Sequence, residues 1–177
     1  MNQKEGKELL ELARNSIESY FNKKEISTDK FKEKKGVFVT IHVNDKLHGC
    51  IGFIEPTTSL GNHVVKGARL AAFSDPRFPP LKENEKFKLE ISILTKPELI
   101  KSKESNEILK EIEIGRDGLI ISYKGHSGLL LPQVATENDL TKEEFLNAVC
   151  NKADMIENAW KTGKCTLYKF QAEIFAE

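Results

Sequence analysis

The chain has 177 residues, of which 39% are hydrophobic and 31% are charged, a balance typical of a folded globular protein rather than a disordered one. Its 27 basic residues equal its 27 acidic residues, so no global field draws it to a nucleic acid or an anionic membrane surface. We expect one compact domain, or two small lobes that share an interface, and no nucleic-acid partner.

Cysteine usage and the apolar pattern restrict the compartment. Cys50, Cys150 and Cys165 are odd in number, widely separated and outside any Cys-x-x-Cys spacing, which argues against a disulfide framework and a structural zinc site. The polar N-terminus runs directly into an amphipathic pattern, and no apolar stretch approaches the roughly 20 residues of a membrane span. The sequence therefore predicts a cytoplasmic protein without a membrane span, and it suggests neither a metal nor a cofactor.

Hydrophobic periodicity in the first half switches between the helical and the strand repeat. The Asn44-Asp45-Lys46 corner supplies turn chemistry between two strand-like stretches, and Thr58 or Ser59 can cap the helix that follows. The predicted elements are an amphipathic helix at 9–21, hairpin strands at 37–43 and 47–54, a helix at 60–72 and a strand at 87–93.

The second half repeats this order. The predicted elements are a helix at 105–112, hairpin strands at 119–123 and 129–131, a helix opened by a capping box of Thr141 and Glu144, and a strand at 168–174. From element order alone we interpret this as an ancient duplication, with a boundary near 95–115. Strands interrupted by helices without strict alternation favour an α+β fold with a largely antiparallel sheet.

The stretch 47–52, Leu-His-Gly-Cys-Ile-Gly, places a thiol between two glycines and near an imidazole. The strand repeat puts His48, Cys50 and Gly52 on one face, where a histidinium would stabilise a nucleophilic thiolate. Glycines at 49 and 52 indicate a bulge or the close approach of a ligand or another backbone. The alternative is a cysteine that only packs, because free cysteine is among the most buried residue types.

The second unusual stretch, 74–81, contains three prolines that restrict its backbone. Arg77 could therefore offer a planar fork to a carboxylate or phosphate, and Asp75 could orient a group or accept a proton. The alternative is a rigid strut, in which Asp75 and Arg77 form an internal ion pair and Phe78 fills the core.

A third stretch joins an apolar strand to Pro132 and then to Gln133 and Glu137. Polar groups at the end of a strand often bind substrates, and equally often cap the next helix. The histidines have no metal-ligand spacing, and the chain contains neither a Walker loop nor a dinucleotide fingerprint.

Together these stretches resemble the AMMECR family, also called AmmeMemoRadiSam system protein A. The matching segments are, in chain order, residues 47–52, 71–81, 89–94, 118–121, 128–134 and 144–153. The resemblance implies a single domain over residues 1–177, an intracellular α+β protein with two lobes around a cleft, and association with Memo-type and radical SAM proteins. The family has no firmly assigned reaction.

The chain departs from the family pattern at three positions: His48 stands where arginine is usual, Leu140 where tryptophan is usual, and Asp154 where glycine is usual. The first departure bears on chemistry. A histidine supplies a cation next to the thiol only when it is protonated, so it weakens a thiolate mechanism at neutral pH.

We therefore expect a ligand- or partner-binding module of a Memo or radical SAM pathway, whose cleft is lined by the strand at 47–52 and the loop at 75–80. The expected ligand is an unidentified small molecule. The ligand-binding candidates are Gly49, Gly52, Arg77, Phe78 and Gln133.

Two alternatives stay open. In the first, the chain is a thiol-dependent enzyme: Cys50 is the nucleophile, His48 tunes it, and Asp75 or Glu137 moves protons. In the second, it is an RNA-binding or translation-associated protein, which the charge balance supports little.

Overall fold

The computed structural model describes residues 1–22 and 26–177, which form two compact units. The first unit comprises residues 1–94 together with 173–177, and the second comprises residues 95–172. Each unit has its own hydrophobic core. In the described part of the chain, no helix is long and apolar enough to cross a membrane.

The first unit packs two helices on a three-stranded antiparallel arrangement. Its elements are α1 (Gln3–Asn22), β1 (Val37–Val43), β2 (Lys46–Phe53), α2 (Leu60–Phe73) and β3 (Lys88–Leu94). The strand order is β2-β1-β3, which leaves β2 at an edge. One face of the strands packs against the helices, because Leu9, Ile41, Val64 and Ile91 are buried in a shared core.

Local sequence explains how the β1–β2 hairpin turns. Asn44 and Asp45 have φ angles of 51° and 59°, the left-handed pair that a two-residue type I′ turn requires and that Asn and Asp tolerate best. The ladder then slips by one residue, since His42 pairs with Leu47 but Ile41 pairs with Gly49. His48 is therefore the extra residue of a β-bulge.

This bulge corrects one expectation. The strand repeat predicts that His48 shares a face with Cys50 and Gly52. In the structure Cys50 lies opposite Thr40 and Gly52 lies opposite Phe38, whereas His48 has no partner in the ladder. Alternation along β2 is thus interrupted at His48.

The second unit contains the remaining elements of the described chain. They are β4 (Glu98–Ile100), α3 (Ser105–Glu111), β5 (Asp117–Tyr123), β6 (His126–Leu130), α4 (Pro132–Glu137), α5 (Lys142–Lys152), a 3-10 helix (Ala159–Thr162) and β7 (Thr166–Ala176). The strands are antiparallel in the order β4-β7-β5-β6. Trp160 and Phe145 are the largest side chains of its core. The last residues of β7, 173–176, belong to the first unit.

The α+β class with an antiparallel sheet is confirmed. Helix, hairpin, helix and strand occur in this order twice, as α1-β1-β2-α2-β3 and as α3-β5-β6-α5-β7. The capping box of Thr141 and Glu144 is formed at the start of α5. The sequence did not predict β4, which is too short to show periodicity, or α4, in which Pro132 occupies the first helical position rather than ending a strand.

Candidate functional site

The backbone of Cys50 is bound by two side chains from the loop that follows α2. The Cys50 N–H donates to Oδ2 of Asp75 over 2.9 Å, and the Cys50 carbonyl accepts from Nη2 of Arg77 over 3.1 Å. An edge strand leaves such groups unpaired on its outer side. The Asp75–Arg77 pair therefore occupies the place that a neighbouring strand would take.

Asp75 is the centre of this arrangement. Its side chain is 1% exposed and accepts hydrogen bonds from the backbone N–H groups of Cys50 and Arg77 and from Nε and Nη2 of Arg77, over 2.7 to 3.1 Å. The hydrogen bonds from the Arg77 guanidinium, with help from the two backbone donors, outweigh burial and lower the pKa of Asp75 to about 2. Asp75 is thus a fixed negative charge at neutral pH.

Arg77 is held as firmly as Asp75. Its hydrogen bonds to Asp75 raise its pKa, and its guanidinium lies 5.2 Å from the centre of the Phe78 ring. The Phe78 N–H donates to the Asp75 carbonyl over 3.2 Å, which closes a turn whose backbone Pro76 and Pro79 also restrict. The internal ion pair expected of a rigid strut is present, but Phe78 does not fill the core as that alternative predicted: it is half-buried and lies against His48 and Arg77.

The Cys50 side chain is half-buried, in contrast to the other two cysteines, which are buried. Burial raises its pKa above the ordinary value, and this effect outweighs the hydrogen bond that Thr40 donates to Sγ over 3.3 Å and the positive charge of Arg77. Negative charges on Asp75 and Glu90 raise the pKa further. The thiol is therefore protonated at neutral pH, whereas thiol catalysis requires the thiolate.

Neighbouring protein atoms leave no room for a side chain at either glycine of the motif. A Cβ added at Gly49 would lie 2.1 Å from the carbonyl oxygen of Ala71, near the end of α2. A Cβ added at Gly52 would lie 2.2 Å from the Val37 carbonyl oxygen and 2.5 Å from Cγ of Phe38. Another backbone, one of the two approaches predicted for these glycines, accounts for both positions.

His48 projects from the bulge toward the proline loop. Its ring stacks on Phe78 with the ring centres 6.2 Å apart and an interplanar angle of 25°. Its Nε2 atom is enclosed and has no hydrogen-bond partner in the described part of the chain. We refer to His48, Cys50, Asp75, Arg77 and Phe78, which the fold brings together, as the Cys50 edge site.

The other two candidates lie in the second unit. Gln133 is half-buried and Glu137 is exposed, and both belong to α4. Leu131 is the N-cap of α4, so Gln133 does not cap it. Across residues 1–22 and 26–177, no group of three His, Cys, Asp or Glu side chains is arranged to hold a metal ion.

Thr40 and Glu90 are site residues that the sequence did not single out. They lie opposite each other on β1 and β3, and Thr40 also lies opposite Cys50, so the three residues form one row across the strands. Only the hairpin register, which depends on the bulge, could have identified Thr40 as the neighbour of the thiol.

The protein is of the antiparallel α+β class, with a glycine-flanked cysteine bound at the edge of its sheet. Comparison with known proteins identifies its family. The family model described as AMMECR1 matches residues 10–175. The chain therefore belongs to the AMMECR1 family, as the sequence motifs predict.

Similar proteins match along nearly their whole length. Protein Ta0236 of Thermoplasma acidophilum is 44% identical, with 97% of this chain and 87% of that protein covered. A protein of Thermofilum pendens is 39% identical, with 98% and 90% covered. The crystal structure of an uncharacterized protein, PH0010, from Pyrococcus horikoshii superposes with a TM-score of 0.95 at 41% identity, covering 100% of this chain and 93% of that one.

Two of the three positions at which the resemblance predicts a departure from the family pattern lie in the second unit. Asp154 has a φ of 55°, in the left-handed region where glycine has no steric penalty and Asp is one of the better-tolerated alternatives. Leu140 is half-buried and packs against the core of this unit.

Proposed function

We propose that this protein is a binding module whose ligand or partner occupies the Cys50 edge site. The observation that carries the proposal is that Asp75 and Arg77 bind the backbone of Cys50 and not its thiol. The motif is thereby held in one geometry, and a site that is already ordered loses little entropy when it binds.

The chemistry required of a thiol enzyme is not favoured by the same contacts. The nucleophile is protonated, since burial raises the pKa of Cys50. Asp75 has a pKa of about 2 and already accepts four hydrogen bonds, so it is not suited to take a proton from the thiol near pH 7. Two neighbours of the thiol, Thr40 and Arg77, do lower its pKa and so favour the thiolate. The thiol-enzyme alternative is therefore tested below.

Alkylation of Cys50 distinguishes the two functions. We expect iodoacetamide to modify Cys50 at pH 7 roughly tenfold more slowly than an unhindered thiol, with a rate that still rises above pH 9, because the reactive thiolate is scarce. Cys150 and Cys165, which are 0% and 4% exposed, should react only after unfolding and serve as internal controls. A rate that is fast at pH 7 and levels off below pH 8 would establish an activated thiol instead.

A retained ligand would test the proposal directly. Native mass spectrometry of the protein purified from its own host is expected to show an additional mass on the wild type and on Cys50→Ser. The same mass should be lost from Phe78→Leu, which alters the site without removing a charge. Arg116→Lys, at an arginine of the second unit, is the control and should retain it. Equal retention by all four proteins, or a wild type that carries neither an additional mass nor a co-purifying protein, would contradict the proposal.

The occupant could also be a protein, and association with Memo-type or radical SAM proteins stays a prediction of the family resemblance. The same preparations test it. A Memo-type or radical SAM protein that co-purifies with the wild type and with Arg116→Lys, but not with Phe78→Leu, would identify the site as a docking surface for that partner.

A further inference from the structure

Two aspartate–arginine pairs in the described residues are built alike. In the first unit Nε and Nη2 of Arg77 donate to Asp75 over 2.9 and 2.7 Å. In the second unit Nε and Nη2 of Arg116 donate to Asp117 over 3.0 and 2.9 Å. Both carboxylates are almost completely buried, whereas the two arginine side chains are 45% and 47% exposed.

The pairs differ at the third guanidinium nitrogen. Nη1 of Arg116 forms an ion pair with Glu113, so all three of its nitrogens face carboxylates. Nη2 of Arg77 additionally donates to the Cys50 carbonyl, but Nη1 of Arg77 has neither a hydrogen bond nor an ion pair with any residue of 1–22 and 26–177. A guanidinium carries five N–H donors, so two oriented donors on Arg77 are left for a ligand.

A second polar atom without a partner lies against the same aromatic ring. The His48 ring and the Arg77 guanidinium both contact Phe78, and Nε2 of His48 is enclosed without a hydrogen bond. Leaving a buried polar atom unsatisfied costs about 1–3 kcal/mol, and native structures seldom keep such an atom without a reason. A β-bulge is also a common device for directing a side chain toward a site.

We propose that the Cys50 edge site binds a small oxyanion, a carboxylate or phosphate group, through Nη1 of Arg77 and Nε2 of His48. This inference rests on the proposed binding function and specifies its ligand. Asp75 occupies the Nε and Nη2 edge of the guanidinium, so Nη1 is the nitrogen that lies farthest from the competing negative charge. Because Nε2 is enclosed, the His48 ring must turn from its stack on Phe78 to donate.

Carboxylates and phosphates share the oxygen acceptors that arginine recognises, so the test has one arm for each. We would titrate isotope-labelled protein with acetate and with inorganic phosphate at constant ionic strength, using chloride as the reference, and follow NMR signals of the Arg77 side chain, the His48 ring and the Cys50 amide. We expect saturable shifts at these three groups with at least one of the two oxyanions and none with chloride.

Substitutions at His48 make the test specific, because this side chain makes no hydrogen bond through Nε2 that folding could depend on. His48→Leu should weaken oxyanion binding at least fivefold, and His48→Arg, which supplies a permanent cation, should strengthen it at least threefold. Arg77→Lys should weaken it at least tenfold. The matched controls are His126→Leu, at an exposed histidine of the other hairpin, and Arg116→Lys, and both should bind as the wild type does.

Shifts that do not saturate, that spread over the surface, or that are equal in His48→Leu and His126→Leu would overturn the oxyanion assignment. A neutral ligand retained at the Cys50 edge site, with neither oxyanion bound there, would overturn the assignment and leave the binding function standing. If every site variant retained the same additional mass as the wild type, the binding function itself would be contradicted.

Discussion

Replacing Gly49 with alanine is expected to destabilise the protein by about 3 kcal/mol, because overpacking a tight contact typically costs 1–3 kcal/mol and this contact involves rigid backbone. The new Cβ would lie 2.1 Å from the Ala71 carbonyl oxygen and 2.9 Å from its carbonyl carbon. Neither atom can rotate away, since Ala71 lies within α2. The hairpin or the helix must therefore shift, and the shift would also move the neighbouring Cys50 from its partners Asp75 and Arg77.

Gly67→Ala is the matched control, because Gly67 lies in the same helix and packs on the same hairpin. Its added Cβ would meet Cγ2 of Val39 at 3.3 Å and the Ile51 carbonyl oxygen at 3.4 Å, distances that small adjustments can relieve. Alanine also gains up to about 1 kcal/mol over glycine inside a helix. Urea unfolding should therefore show Gly67→Ala near the wild type or above it. A Gly49→Ala variant within about 0.5 kcal/mol of the wild type would contradict the contact.

The sequence predicted that another group comes close to Gly49, but not which group. Two glycines in an apolar strand indicated that a ligand or a backbone comes near, and the backbone proved to be that of α2. The second unit has the corresponding contact, because a Cβ at Gly128 on β6 would lie 2.9 Å from the Val149 carbonyl oxygen and 2.7 Å from the Ala153 nitrogen at the end of α5. The repeated element order is thus accompanied by a repeated packing contact, and an ancient duplication stays the interpretation that the element order predicts.

The pairing partner of Cys50 in the β1–β2 hairpin could not be predicted from the sequence. Counting outward from the Asn44-Asp45 turn would pair Cys50 with Val39, a core residue. The bulge at His48 shifts the ladder by one residue and pairs Cys50 with Thr40 instead. The glycines at 49 and 52 indicated a bulge or a close approach, but strand periodicity does not tell which residue of the strand is the extra one. The thiol's hydrogen-bond donor could therefore not be predicted.

The proline loop was predicted more completely. Its rigidity and the Asp75–Arg77 ion pair follow from residues that are close in sequence. The attachment of this pair to Cys50 does not, because residues 50 and 75 meet only after α2 has folded back on the hairpin. The local part of the candidate site was thus accessible from sequence, while the contact that determines its chemistry was tertiary.

Replacing Asp75 with asparagine is expected to lower stability at pH 7 by about 2–3 kcal/mol, the size of the contribution that lowering its pKa to about 2 implies at roughly 1.4 kcal/mol per pKa unit. Asparagine matches the shape of aspartate, but it is neutral and its amide group presents N–H donors where four N–H donors already converge. Arg77, which is half exposed, regains part of its hydration, and this keeps the loss below that of a fully buried ion pair.

The pH dependence provides the more specific measurement. The pKa of Asp75 is about 2 in the folded protein and near 3.9 in an unfolded chain, so its contribution is present above the unfolded value and is lost as the pH falls toward 2. Urea unfolding from pH 6 to pH 2 should show the wild type converging on Asp75→Asn at the acidic end. Asp45→Asn, which removes an exposed carboxylate paired with Lys88, should stay close to the wild type throughout, because an exposed ion pair contributes little. Parallel profiles for the wild type and Asp75→Asn would mean that the charge of Asp75 does not hold the edge of β2.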